Sequence, residues 1–398
     1  MRKAYRNYAY SIVLLIITLI LIESISYVFI SILINKGIVN YRPRYFLSEK
    51  QKNYIGRLAA GEVHNIRYDS KLGWAIKELL RDNWIRTNSD GMRNVREFNM
   101  TSDPGVIRIA AFGDSFTFGD DVKNHETWTH ILDKTSNKTE VLNFGVSGYG
   151  LDQAFLKYLY DGSRFNPQIV LIGYMTEDIY RSVNTFKPFY YRDTGLAMTK
   201  PRFVFRNNQL SLMRNPINEL KGYRNLLVNE LKTLSILGNK DFYYNNTYKL
   251  GSYDVFRSIR LFNLFLHMIK QDSAKKIYLN HIYNVESEAY IVTREIFEEF
   301  YNTVIKNNSK PLILLLPHDN DIRNYYREGI KSYQPLIDYF ESAGFNYIDL
   351  MDSLYNGGEI YNSDKIFTYP GIHYSYNSNE KVALQIKQYL INNGYYVR

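Results

Sequence analysis

The chain predicts a three-layer α/β domain with a parallel sheet, preceded by one membrane-spanning helix. Five short apolar runs of strand length, at residues 106–112, 140–144, 169–174, 311–316 and 345–350, alternate with helical stretches that include 289–306, 335–343 and 379–390. The runs are apolar nearly throughout, as in strands covered on both faces, and strands separated by helices pair in parallel. A third observation is the long apolar stretch at residues 8–34.

Taken in order, residues 8–34 come first. A helix rising about 1.5 Å per residue crosses a hydrocarbon core about 30 Å thick within such a length. Arg2, Lys3 and Arg6 would also suit a cleavable signal peptide, but no alanine occurs between Ala9 and Ala59. Only Ser24-Ile25-Ser26 offers a small-residue cleavage site, so an uncleaved signal-anchor is expected. Basic residues flank both ends, with Lys36, Arg42, Arg44, Lys50 and Lys52 beyond the helix. Orientation therefore rests on the habit of a single early helix to export the domain behind it. The expected organisation is a cytoplasmic tail at 1–7, the membrane segment at 8–34, a lead-in at 35–104, and an extracytoplasmic domain at 105–398. The 398 residues include no cysteine, which excludes disulfides, a thiolate nucleophile and Cys-ligated zinc. The net charge of +9 is spread in ones and twos rather than along a stripe, so no nucleic-acid partner is read from it. Attraction to anionic headgroups or an acidic glycan fits it.

The first strand runs directly into Gly113-Asp114-Ser115. Glycine permits the sharp turn and aspartate bonds nearby amides, leaving a serine where open α/β sheets bind ligands. The second strand is followed by Gly145, Gly148 and Gly150, which let a backbone amide approach a ligand closely. The third ends in Thr176-Glu177-Asp178, and Tyr369-Pro370-Gly371-Ile372-His373 precedes the last helical stretch. After the fourth strand, His318, Asp319 and Asp321 read as turn and cap residues, so no metal is assigned.

In this order the blocks resemble the SGNH hydrolases, also called GDSL hydrolases, over residues 106–178 and 312–390. The resemblance implies a three-layer flavodoxin-like fold and no cofactor. It further implies Ser115 as nucleophile, His373 as general base, and the amides of Ser115 and Gly148 as an oxyanion hole. Leu72-Gly73-Trp74, the segment from Thr87 to Arg93, and Gly119-Asp120-Asp121-Val122 are similar to the lead-in and first block of exported members.

Two positions depart from the family pattern. Glu177 stands where the family places an oxyanion-hole asparagine. An ionised glutamate cannot donate, and loss of one such donor costs roughly 100- to 1000-fold in rate. Either Glu177 is held protonated, or Thr176 or a backbone amide takes the role, or the hole has fewer donors. Pro370 stands where the family has the aspartate that orients the histidine. The expectation is a Ser-His dyad, with His373 Nδ1–H bonded to a backbone carbonyl near Tyr369 or Pro370. The alternative is a carboxylate from Asp319, Asp352 or Asp364.

Residues 179–309 are longer than a crossover requires and form an expected insertion. It holds a hairpin turning at Asn207-Asn208, since asparagine tolerates positive φ, and helices at 222–237 and 253–270. The function expected is a membrane-anchored serine esterase acting on O-acyl, foremost O-acetyl, esters of a surface or secreted polysaccharide. Its partners would then be the glycan, the membrane and polysaccharide-building proteins. A polysaccharide O-acetyltransferase shares the same acyl-enzyme, and a catalytically silent glycan-binding or assembly protein shares the same fold.

Overall fold

The computed structural model describes residues 2–36, 47–62, 65–248, 277–355, 361–369 and 372–395. Its central sheet has five strands: β1 (Ile107–Phe112), β2 (Thr139–Asn143), β3 (Ile169–Met175), β4 (Lys310–Leu316) and β5 (Tyr347–Asp349). All pair in parallel, in the order β2-β1-β3-β4-β5. The unbroken apolar runs have the expected cause, since every residue of β3 is buried, as is every residue of β4 after Lys310. The fifth run is shorter than its apolar pattern, because only three residues pair with β4.

The helices include α1 (Arg2–Asn35), α2 (Trp128–Asp133), α3 (Leu151–Lys157), α4 (Glu288–Lys306), α5 (Asp319–Glu328), α6 (Gln334–Ala343) and α7 (Tyr376–Asn392); Glu49–Ala59 forms a further helix in the lead-in, and shorter ones lie between. The chain moves one way from β1 to β2 and the other way from β2 through β3 and β4 to β5. Right-handed crossovers therefore put α2 on one face and α3 and α4 on the other. Accordingly α4 packs on α3, with Phe155 and Phe300 edge to face at 6.3 Å, while α7 packs on α2. The reversal beside β1 places Ser115, at the end of that strand, at the switch point where such sheets bind ligands.

The insertion contains the expected hairpin, Arg202–Arg206 against Gln209–Met213. Asn207 and Asn208 both take left-handed backbone, at φ 51 and 57. Where one helix was expected there are two, Arg224–Val228 and Glu230–Gly238, divided at Asn229. The helix expected at 253–270 lies outside the described residues. A second, unexpected hairpin pairs Tyr278–Leu279 with Ile282–Tyr283 around Asn280 and His281. Ahead of the sheet, Ile66–Asp69 pairs antiparallel with Gly73–Ile76. Within α1, Tyr5–Leu33 is long and apolar enough to cross a membrane, with mean hydropathy 2.6.

Candidate active site

Ser115 opens a four-residue helix, Ser115–Phe118, that starts immediately beyond β1 and stops at Gly119 in left-handed backbone. Asp114 caps it by accepting from Phe116 N at 2.9 Å. The turn requires glycine at 113, because a Cβ there would overlap Thr117 Oγ1 and the Gly173 carbonyl. Ser115 Oγ meets the same carboxylate, lying 3.3 Å from Asp114 Oδ2. On its other side Asp114 Oδ2 is 3.2 Å from Arg181, whose guanidinium also holds Asp178 at 2.7 Å and donates to the Tyr149 carbonyl at 2.6 Å. Asp178 is fully enclosed; burial pushes its carboxyl up despite Arg181.

The second loop is braced against the first. Asn143 donates to the Thr117 carbonyl at 2.9 Å and accepts from Gly145 N at 2.9 Å. Trp74 Nε1, from the lead-in hairpin, donates to the Ser147 carbonyl at 3.1 Å. Arg93 donates to the Phe118 carbonyl at 3.2 Å and to the Val122 carbonyl at 2.5 Å, so the lead-in also holds the loop through Asp120 and Asp121. Gly148 has φ +79. Neither its amide nor that of Ser115 donates to another group among the described residues.

His373 lies in a loop folded back by the bond from Thr368 N to its own carbonyl, at 2.8 Å. Its ring meets Phe116 edge-on at 5.1 Å, beside Ser115. Nδ1 is 2.7 Å from Asp121 Oδ2. Asp121 also accepts from Ile372 N at 3.1 Å and Thr368 Oγ1 at 3.3 Å. The His373 hydrogen bond is the chief reason its carboxyl is pulled down to about 2. Burial alone would lower the His373 pKa, but the Asp121 bond and the carboxylates of Asp120, Asp121 and Asp114 outweigh it and raise it.

This arrangement corrects the sequence expectation of a dyad. The group on Nδ1 is a carboxylate rather than a backbone carbonyl, and it is none of the three candidates. Asp319 accepts from Tyr361 and from Ser363 at 2.6 Å and pairs with Arg323 at 2.5 Å. Asp352 and Asp364 are exposed first-turn residues of short helices. Pro370 lies outside the described residues. Asp121 was missed because 252 positions separate it from His373, so no local spacing links the two. Its own block, Gly119-Asp120-Asp121-Val122, was noticed only as a resemblance.

Glu177 is engaged by residues that follow β4. It lies 3.4 Å from His318 Nδ1 and accepts from Asn320 Nδ2 at 3.4 Å. Thr176 is equally committed, since its hydroxyl donates to the buried Asp321, which Ser332 also caps. His318 and Asp321 form a capping box on α5. Among the described residues, no group of three or more histidine and carboxylate side chains is arranged to hold a metal ion.

A parallel sheet of this order, with a serine in the turn after its first strand and a carboxylate-oriented histidine ahead of its last helix, defines an α/β acylhydrolase scaffold. The chain belongs to the GDSL-like lipase/acylhydrolase family, whose model matches residues 109–386. Among solved structures it is similar to a lipolytic protein of the G-D-S-L family from Desulfitobacterium hafniense, at 12% identity and TM-score 0.36, covering 71% of this chain and 98% of that one. It is similar to the lipase/acylhydrolase from Enterococcus faecalis at 12% identity and TM-score 0.36, covering 72% and 97%. A two-domain esterase active on acetylated mannans is similar at 11% identity and TM-score 0.34, covering 72% of this chain and 49% of that one. No curated protein matches the sequence.

Proposed function

We propose that the protein is a membrane-anchored serine esterase that removes O-acyl, foremost O-acetyl, groups from a surface or secreted polysaccharide. The observation that carries this reading is the 2.7 Å contact between His373 Nδ1 and Asp121, beside the serine turn. A carboxylate on Nδ1 fixes the tautomer that leaves Nε2 free to accept a proton and stabilises the imidazolium that forms. Ser115 Oγ attacks the ester carbonyl as His373 Nε2 takes its proton. The carbonyl oxygen, now negative, receives the amides of Ser115 and Gly148. Collapse of the tetrahedral intermediate breaks the bond to the sugar oxygen, which leaves with the proton from His373. Water then attacks the acyl-serine by the same proton route, releasing the acid and restoring Ser115. Before attack the serine side chain must rotate from Asp114 towards His373, a tightening common when substrate binds.

A glycan substrate is supported by a cleft about 600 Å³ in volume, walled by Glu177, Tyr180, Tyr278, Asn280 and Asn320 and not by Ser115, Gly148 or His373 themselves. Tyrosine rings and amide side chains are the groups that meet the faces and hydroxyls of sugars. His318, 3.4 Å from Glu177 and edge-on to Phe116 at 6.5 Å, connects this cleft to the serine turn.

The test is turnover of an activated acetyl ester together with fluorophosphonate labelling. Ser115→Ala should abolish both while the protein stays folded, and His373→Ala should be comparably damaging because the residues act as a unit. Wild-type turnover by Ser115→Ala overturns the assignment. Acetate release compared with transfer to an added glycan separates the esterase from an O-acetyltransferase.

A further inference from the structure

The site holds a partly buried cation that the mechanism above does not use. Lys187 begins the short helix Lys187–Tyr190 at the start of the insertion. Its ammonium reaches back across the sheet end to the Gly148 loop and donates to the Gly148 carbonyl at 3.3 Å. It packs so closely on the Gly148 α-carbon that a Cβ at that position would overlap Nζ. An ammonium carries three donors, and among the described residues this one makes that single long hydrogen bond. Arg181 also has a buried Nε without a hydrogen-bond partner among the described residues, but its Nη1 is divided among Asp114, Asp178 and the Tyr149 carbonyl, which fixes the guanidinium on the carboxylates.

We propose that Lys187 is a catalytic residue whose ammonium donates to the oxyanion beside the Gly148 amide, replacing the donor lost at Glu177. The inference rests on Ser115 being the nucleophile. The donor comes from an element outside the blocks that carry the family resemblance. Glu177 is occupied by His318 and Asn320, and Thr176 by Asp321. Of the two cations on this loop, Arg181 and Lys187, Lys187 is the one seated on Gly148, whose free amide defines the hole. A charged donor is also stronger than the neutral amide it replaces.

The surroundings make the role sensitive to pH. Facing Lys187 are Arg181 and Asp178 from the turn after β3, Asp114 from the serine cap, Asp120 from the loop beyond it, and the Trp74 ring of the lead-in hairpin, 5.7 Å away. Burial, followed by Arg181, brings its pKa down to about 7, and the three carboxylates only partly oppose this. The ammonium therefore loses its proton as pH rises through neutrality, while His373 acts as a base only after losing its own. An oxyanion donor that titrates this way should give a bell-shaped rate profile with an alkaline fall starting near pH 7.

The experiment measures the rate of fluorophosphonate labelling of the full chain against pH, because the phosphonyl oxygen occupies the oxyanion position. Wild-type labelling should fall above pH 7. Lys187→Met should label about 100-fold more slowly, with no alkaline fall, as loss of one hole donor predicts. Lys187→Arg, which stays charged, should recover part of the rate and carry its plateau into alkaline pH. A wild-type profile that is flat through the alkaline range overturns the proposal, and that arm holds even if the variants fold poorly. Lys187→Met labelled within about threefold of wild type also overturns it, and leaves Ser115 untouched. Absence of labelling in the wild type, or labelling that survives Ser115→Ala, overturns the serine reading and this proposal together.

Discussion

Asp121 is the residue on which the catalytic reading turns. Its carboxylate gathers the His373 ring, the Ile372 amide and the Thr368 hydroxyl. It takes this position from a left-handed backbone, φ 67, which an aspartate tolerates better than a bulkier residue. Replacing a triad aspartate by asparagine presents the wrong tautomer and costs on the order of 10⁴ in turnover. Asp121→Asn is therefore expected to lower kcat by about 1000-fold or more with folding intact. Asp319→Asn, Asp352→Asn and Asp364→Asn should each cost less than about 30-fold, roughly 2 kcal/mol of barrier. A loss of that larger size in one of those three, with Asp121→Asn near wild type, would show that the contact at His373 is structural only. The acid side of the profile follows in sign. His373 must be neutral to accept a proton, and Asp121 and its neighbours raise its pKa, so the acid limb should lie above that of an ordinary histidine and run into the alkaline fall set by Lys187. Asp121→Asn removes the largest of those raising contributions and should shift that limb towards acid. Asp121 itself has a depressed pKa, so what its charge adds to stability is present above the unfolded carboxylate range and is lost as pH falls towards 2.

At the scale of elements, what could be read from the sequence was what local chemistry dictates. Buried strands announce themselves as apolar runs, and β3 and β4 fall within a residue of theirs because they are covered on both faces. The edge strand β5 was read too long, since its flanks are apolar for packing against α6 and α4 rather than for pairing: Phe345 stacks on Tyr301 at 4.1 Å. Ser115 stands in a turn whose glycine is local, and the family resemblance points to Gly148 in the next one. Asp121 and the proposed role of Lys187 could not be read this way, because each depends on distant segments meeting. The Asn207-Asn208 turn is the cleanest local case, since two successive left-handed residues match the twist of a two-residue hairpin loop. Asn208→Val puts a β-branched side chain into that conformation and should lower stability by about 1–2 kcal/mol. Asn208→Gly should leave it unchanged or slightly raised. Both are read as shifts of the urea midpoint at constant slope, and a valine variant as stable as the parent would mean that this turn does not set the register of the hairpin.

At the scale of the whole molecule, an exposed apolar helix is joined to a domain whose own core is complete. Between Tyr10 and Phe29, α1 leaves aliphatic side chains open on nearly all its faces, including Leu14, Leu15, Leu19 and Leu21. A helix apolar all round is stable only in a core or in lipid. Little of it is covered by the rest of the described residues, a property that a membrane span shares with a signal sequence. The α/β domain, by contrast, closes its sheet between helices and ties its loops to the lead-in through Trp74 and Arg93. The proposed topology has the N-terminal residues in the cytoplasm and the domain outside, where a surface polysaccharide can reach the cleft at Tyr180 and Tyr278. In cells stripped of outer barriers, external protease should then remove the chain beyond Ile38, while a tag placed ahead of Arg2 remains protected until the membrane is dissolved. The full chain should stay with the membrane pellet after carbonate extraction, because a spanning helix is held by its hydrophobic surface rather than by charge. Release by carbonate would reduce α1 to a peripheral contact or a cleaved leader. Protection of the domain in intact stripped cells would place Ser115 on the cytoplasmic side, where it could act only on an intracellular acyl donor or lipid-linked precursor, and the surface-polysaccharide assignment would fall even with the triad chemistry intact.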